Sequence, residues 1–180
     1  MLFRSDFSQA SVVTLYLLEE LNARLRPLIL KMPPGTRVVS NTFSMGDWEP
    51  DQVIDSNGQT AYLWKVPAQV GGNWIVHGLG SDGNSNAAQI HIDQRHQRLS
   101  GTMTSSGKKQ ALLGTRIEGN VLYFSFLNAQ DELKHVRATV DDKHWTGEIV
   151  APYGMVELIL PTQKITADRK STRLNSSHLV

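Results

Sequence analysis

Cysteine is absent from this 180-residue sequence, which excludes disulfides, thiolate nucleophiles and thiolate metal sites. Long apolar runs are absent too. No stretch approaches the roughly 18 residues that a membrane-crossing helix needs, and the N-terminus lacks the basic-then-apolar pattern of an export signal. A surplus of positive charge is also missing. The formal net charge is +1, but Arg169, Lys170 and Arg173 lie in a C-terminal stretch without acids; the rest holds 15 basic and 17 acidic residues, a net of −2. A body with that balance has no electrostatic footprint for a phosphate backbone, so no nucleic-acid partner is expected. Cytoplasmic residence and export are both compatible with these absences.

What is present divides into two textures, with the change near residues 55 to 70. In the first, Ser11 to Leu18 (SVVTLYLL) is a nearly continuous apolar run rich in β-branched residues, the pattern of a parallel strand covered on both faces. Glu19 and Glu20 then place negative charge where a helix begins, and Leu21, Leu25, Leu28, Ile29 and Met32 recur at helical spacing. Pro27 predicts a break, giving two short helices or a second helix that starts there. Pro33, Pro34 and Gly35 end the helical stretch, and Thr36 to Phe43 reads as the next buried strand. Strand, helix, strand is the crossover unit of an α/β sheet. One such unit cannot cover a parallel strand on both sides, so further strands and helices are expected upstream of this sequence.

The second texture is strand and turn. Ala61 to Val66, Asn73 to His77, Ala88 to Gln94, Ala111 to Ile117, Val121 to Leu127, His135 to Val140, Trp145 to Val150 and Val156 to Leu160 follow at roughly ten-residue spacing. Leu122, Phe124 and Phe126 alternate with Val121, Tyr123 and Ser125, which makes one face apolar. Glu118-Gly119-Asn120 and Asp141-Asp142-Lys143 supply turn residues. The expected fold class is therefore α+β: a partial Rossmann-like α/β sheet, then an antiparallel barrel or strongly curved sheet. The last residues, Arg169 to Val180, fit neither texture and resemble translated adapter or vector read-through. A disordered, non-native tail is expected over 167–180.

Two motifs fail on context. Gly78-Leu79-Gly80-Ser81-Asp82-Gly83 has the glycine spacing of a dinucleotide fingerprint, but strand follows it where the fingerprint needs a helix. His91 and Asp93 share one face of a strand, with Arg95 and His96 near. No third ligand has a diagnostic spacing, so a solvated strand face is the reading and no metal is expected.

The sequence also carries a composite pattern. Phe3-Arg4-Ser5-Asp6-Phe7-Ser8-Gln9-Ala10 precedes SVVTLYLL; Leu25-Arg26-Pro27 follows, then Pro34-Gly35-Thr36-Arg37-Val38-Val39-Ser40, Met45-Gly46-Asp47-Trp48-Glu49-Pro50-Asp51 and Tyr62-Leu63-Trp64-Lys65-Val66-Pro67-Ala68. In that order these resemble the fourth strand, following helix, fifth strand and closing Gly-Asp-Trp loop of a bacterial class I S-adenosylmethionine-dependent methyltransferase. The sequence departs from the family at Glu19, where proline is usual, and at Asn41, where histidine is common.

The resemblance implies residues 1–68 as the C-terminal part of a methyltransferase domain and 69–166 as an appended antiparallel β domain. It implies S-adenosyl-L-methionine as the cofactor of a full-length parent, held by a Gly-rich loop and two acids that this sequence lacks; the chain alone is then expected to be inactive. Methyl transfer is an in-line displacement at a sulfonium carbon, so alignment and exclusion of water carry much of the acceleration. Ligands of open α/β sheets bind beyond the carboxyl ends of the strands, here at Tyr16 to Leu18 and after Phe43. The expected acceptor, a small molecule or a protein, would meet Tyr16 as a hydrogen-bonding group, Asp47 as proton acceptor or amine partner, and Trp48 as a pocket wall. Two plainer roles stand beside these: core packing for Trp48, and a turn bond to its own backbone for Asp47. A reading from a different class treats the β region as a lipocalin-like module with an apolar interior for a small hydrophobic ligand, around Tyr123, Phe124, Phe126 and Trp145.

Overall fold

The computed structural model describes residues 6–79, 87–141, 144–150 and 163–170. Most of the Gly78–Gly83 motif, the Val156–Leu160 stretch, Asp142, Lys143 and the chain beyond residue 170 lie outside these, as do residues 1–5.

The first sheet has four strands. The apolar run gives β1 (Val12–Leu15), followed by helix α1 (Glu19–Ile29) and β2 (Arg37–Asn41). A hairpin, β3 (Gln52–Ser56) and β4 (Gln59–Lys65), completes it in the order β1-β2-β4-β3. β1 and β2 are parallel, with Val13 opposite Val38, while β4 runs antiparallel to both β2 and β3. The β3–β4 turn is Asn57-Gly58, both at positive φ (50° and 77°), the pairing that matches the twist of a two-residue hairpin.

Pro27 does not split the helix: α1 is one helix with Pro27 inside it. Only Leu28 and Ile29 follow, so the proline removes a single donor in the last turn, on an exposed side of the helix where water can serve the freed carbonyl. Ile29, fully buried, holds that turn to the sheet. Glu19 and Glu20 sit in the first turn and Arg26 in the last, each favourable to the helix dipole. Leu25, Ile29, Val38 and Trp64 form the core between helix and sheet.

The expectation of β1 as an interior strand covered on both faces is not met by the described residues. β1 pairs with β2 alone. The described chain supplies one helix, packed on the face of Val38 and Trp64. On the opposite face Val12 is 41% and Ile54 55% exposed, and beyond the end of β1 Tyr16 is 85% and Leu18 61% exposed.

The second sheet is a closed barrel. Its strands are β5 (Gly72–His77), β6 (Ala88–Arg95), β7 (Arg98–Ser105), β8 (Lys108–Ala111), β9 (Leu113–Glu118), β10 (Val121–Leu127), β11 (Leu133–Val140), β12 (His144–Val150) and β13 (Gln163–Arg169). The order is β6-β5-β13-β12-β11-β10-β9-β7, with β6 pairing back onto β7 to close eight strands and β8 on the same edge of β7 as β9, in line with it. β13 extends to Arg169, three residues into the stretch expected to be a disordered tail, and Arg169 stacks over the Trp74 ring at 5.0 Å.

Alternation sends Phe124 and Phe126 inward, where Trp145 meets Trp74 and Phe124 edge-on at 5.6 and 5.8 Å. An eight-stranded barrel is just wide enough for its own side chains to fill. Here Trp74, Phe124, Phe126 and Trp145, all buried, take up part of that space. Tyr123 lies outside, its ring under the Arg116 guanidinium.

Gly147, opposite Ala138 on β11, marks a close backbone approach: a Cβ there would meet Arg137 O at 2.5 Å and Ala138 Cα at 2.7 Å. Gly147→Ala is therefore expected to lower stability by about 1–3 kcal/mol. Denaturant unfolding checks this, and an unchanged midpoint would show that the barrel tolerates a side chain at that crossing.

Candidate functional site at the carboxyl ends of the parallel strands

The loop after β2 starts from Thr42, at φ 68°, and turns again at Gly46, also at φ 68°. Its first part is tied to α1. Asn22, fully buried, donates through Nδ2 to Ser40 Oγ at 3.0 Å and to the carbonyls of Phe43 and Ser44 at 3.2 Å each. Ser44 Oγ donates to Glu19 Oε1 at 2.7 Å. Asn22 thus gathers the chain at the carboxyl ends of the parallel strands, although its Oδ1 has no partner.

The second part of the loop is tied to the barrel. Arg26 Nη1 donates to Met45 O at 2.9 Å and to Asp47, while Arg95, at the end of β6, donates to the other Asp47 oxygen at 2.7 Å. Trp48 is fully buried; its Nε1–H donates to Gln97 Oε1 at 2.9 Å, and its carbonyl accepts from Trp64 Nε1 at 2.8 Å. The Trp48 ring lies 6.0 Å from Trp64 and 5.8 Å from His96. Gln97 Nε2 donates to Glu49 O, and Arg98 Nε to Glu49 Oε2 at 3.0 Å. The β6–β7 turn, Arg95 to Arg98, therefore lies along Asp47, Trp48 and Glu49, and the cleft left between them is lined by Gly46, Asp47, Glu49, Arg95, His96, Gln97 and Arg98.

Electrostatics follow from this geometry. The Arg95 hydrogen bond, helped by Arg26, brings the Asp47 carboxyl down to about 2. Burial lowers His96, with the positive charges of Arg26 and Arg95 acting in the same direction against the opposing pull of Asp47. Burial raises Asp51, opposed by the Lys65 backbone N–H that its Oδ2 accepts at 2.6 Å.

The three residues singled out in the sequence are not brought together as one pocket. Tyr16 is exposed beyond β1. Trp48 is fully buried, with its indole against Trp64, His96 and Gln97. Asp47 is doubly paired, with Arg26 on one carboxylate oxygen and Arg95 on the other. Gln94 was not singled out, yet it uses its full amide: Oε1 accepts from Val70 N and Gly71 N at 2.7 and 3.0 Å, and Nε2 donates to Ala68 O and His96 O at 2.9 and 2.8 Å. It locks the connection between sheet and barrel. No local pattern marks Gln94 or Gln97; both matter only once the barrel turn meets the loop. Among the described residues there is no group of three or more potential metal ligands, and no helix is long and apolar enough to cross a membrane. These residues do not by themselves compose an S-adenosylmethionine site: the Gly-rich strand-to-helix loop that would carry the cofactor has no counterpart among them.

Comparison with known proteins finds a family match in this first part. Residues 2–52 match the family model of the ANTKMT methyltransferase domain. A protein-lysine N-methyltransferase from Saccharolobus islandicus (strain REY15A) is 44% identical over 69 residues, covering 36% of this chain and 43% of that protein. An RNA methyltransferase from Salinibacter ruber, solved with S-adenosyl-L-homocysteine, is 48% identical over 38% of this chain and 45% of its own, at a TM-score of 0.36, too low to transfer geometry. The chain spans less than half the length of either relative.

Removal of the dominant partner tests the Asp47 assignment. In Arg95→Ala the Asp47 carboxyl is expected to titrate upward from about 2 towards 3.8. Carbon-detected NMR of the carboxyl resonance reads this directly, and an unmoved titration would show that Arg95 does not hold Asp47.

Proposed function

We propose that this chain carries the carboxyl-terminal part of the catalytic sheet of a class I S-adenosylmethionine-dependent methyltransferase, with a β-barrel appended. In this reading the cofactor is held by strands that pair with the free edge of β1, and the acceptor approaches the carboxyl ends of β1 and β2. The observation that carries it is that, among the described residues, β1 pairs with β2 alone, in the segment that matches the methyltransferase family. A parallel strand with one neighbour and an open face has the form of half a sheet. The partly exposed apolar positions Val12 and Ile54 are consistent with a face that other elements cover.

For the acceptor, a protein lysine is the reading the Saccharolobus islandicus relative favours. Glu19 and Glu20, exposed at the start of α1, put negative charge at the acceptor end, which suits a cationic side chain. Tyr16 stands at the same end with its ring in solvent and is the residue proposed to contact the acceptor. Asp47 and Trp48 serve there by shaping the loop. The packed barrel interior weighs against the small-ligand reading.

Calorimetric titration with S-adenosylmethionine tests the division of labour. The 180-residue chain alone is expected to show no binding at micromolar concentrations. A chimaera with the unmatched part of the Saccharolobus islandicus protein joined ahead of residue 6 is expected to bind it and to transfer methyl groups to a lysine-rich polypeptide. Low-micromolar binding by the unextended chain would contradict the division, and a folded chimaera that neither binds nor transfers would contradict the methyltransferase reading.

A further inference from the structure

The barrel meets the loop of the first sheet where the sheet would meet its acceptor. Between Asp47 and Glu49 every residue of the loop has a partner on the β6–β7 turn: Asp47 with Arg95, Trp48 with His96 and Gln97, Glu49 with Gln97 and Arg98. Residues 43–45 are held from α1, through Asn22 and Arg26, and Asp47 is shared, since Arg26 pairs with it as well as Arg95. The loop is thus divided between two supports, one within the methyltransferase-like part and one outside it.

The outer support is itself fixed. His96 turns the hairpin at φ 54°, and Gln94 bonds both the carbonyl of His96 and the chain entering the barrel at Ala68, Val70 and Gly71. A turn locked in this way can impose its geometry on a neighbour. The loop has two left-handed residues and an isolated bridge between Met45 and Trp48 as its own structure, and such a segment has little local order to resist.

We infer that the β6–β7 turn is the positioning element of the loop at the acceptor end, with Arg95 and Gln97 the residues that set its shape; the words "acceptor end" rest on the methyltransferase reading above. Arg95 fixes Asp47 by charge, and Gln97 fixes both the indole N–H of Trp48 and the carbonyl of Glu49, so the two together define where residues 47–49 lie. The barrel then contributes to acceptor selection without contacting cofactor, and Arg95 and Gln97 are positioning residues rather than catalytic ones.

Native-state hydrogen exchange on the 180-residue chain tests this without need of activity. In Arg95→Ala/Gln97→Ala the amides from Gly46 to Asp51 are expected to exchange roughly tenfold faster, the size expected from losing one or two hydrogen bonds to charged or buried groups. Amides of β10 and β11 should keep their protection, and Arg95→Lys should restore most of the loop's. Unchanged loop exchange would overturn the proposal, leaving the barrel a passenger. Faster exchange throughout both sheets would overturn it too, since the turn would then support general stability only. Should the double variant not fold, Gln97→Ala alone carries the same comparison. In the methyl-transfer chimaera, the same substitutions are expected to raise the acceptor KM and leave S-adenosylmethionine affinity unchanged. An inactive chimaera counts against the methyltransferase reading and leaves the exchange result standing.

Discussion

The seating of Trp48 is the constraint on which both halves of the molecule depend. Its indole is enclosed between Trp64 of the first sheet and the barrel turn; its Nε1–H donates to Gln97 and its backbone carbonyl accepts from Trp64. A tryptophan buried in this way combines a large apolar area with a directional N–H bond. It therefore fixes orientation as well as attraction. The neighbouring contacts build outward from it: the Asp47 pair with Arg26 and Arg95, the Glu49 pair with Arg98, and the Ala68 N–H to Gly119 O bond at 2.7 Å that closes the chain entry to the barrel. The exposed ion pairs add little stability individually; they set register around a joint that the buried indole holds.

That joint has a consequence for function. The open α/β sheet presents its ligand-facing end at the carboxyl termini of β1 and β2, and the loop that leaves β2 is the one the barrel grips. At the other edge of the same sheet β1 pairs, among the described residues, with β2 alone. The β6–β7 turn is where the barrel surface meets that loop.

Much of this layout was legible in the sequence, for identifiable reasons. The β-branched run before Glu19 and the helical spacing of Leu21, Leu25 and Ile29 reported β1 and α1 because their periodicity is set by burial on one face. Phe124 and Phe126 reported β10 in the same way. β3 escaped because all five of its residues are exposed and carry no alternation, although Asn57-Gly58 was a hairpin signal that would have found it. β7 escaped because Arg98 to Ser105 is mostly small and polar, with Met103 its one fully buried hydrophobic side chain. Pro27 was over-read, since a proline two residues from a helix end costs far less than one in its middle. For the site, the Gly-Asp-Trp motif marked the right loop but not its role. Gln97, which decides whether Trp48 lines a pocket or fills a joint, lies 49 residues away in sequence, and only the fold brings it there.

If the Trp48 joint makes sheet and barrel one body, the two must unfold together. Differential scanning calorimetry of the 180-residue chain should then show a single transition whose calorimetric and van't Hoff enthalpies agree, and Trp48→Ala should divide it into two. Two separate transitions in the unaltered chain would contradict the account, because the sheet and the barrel would then be independent units that merely touch.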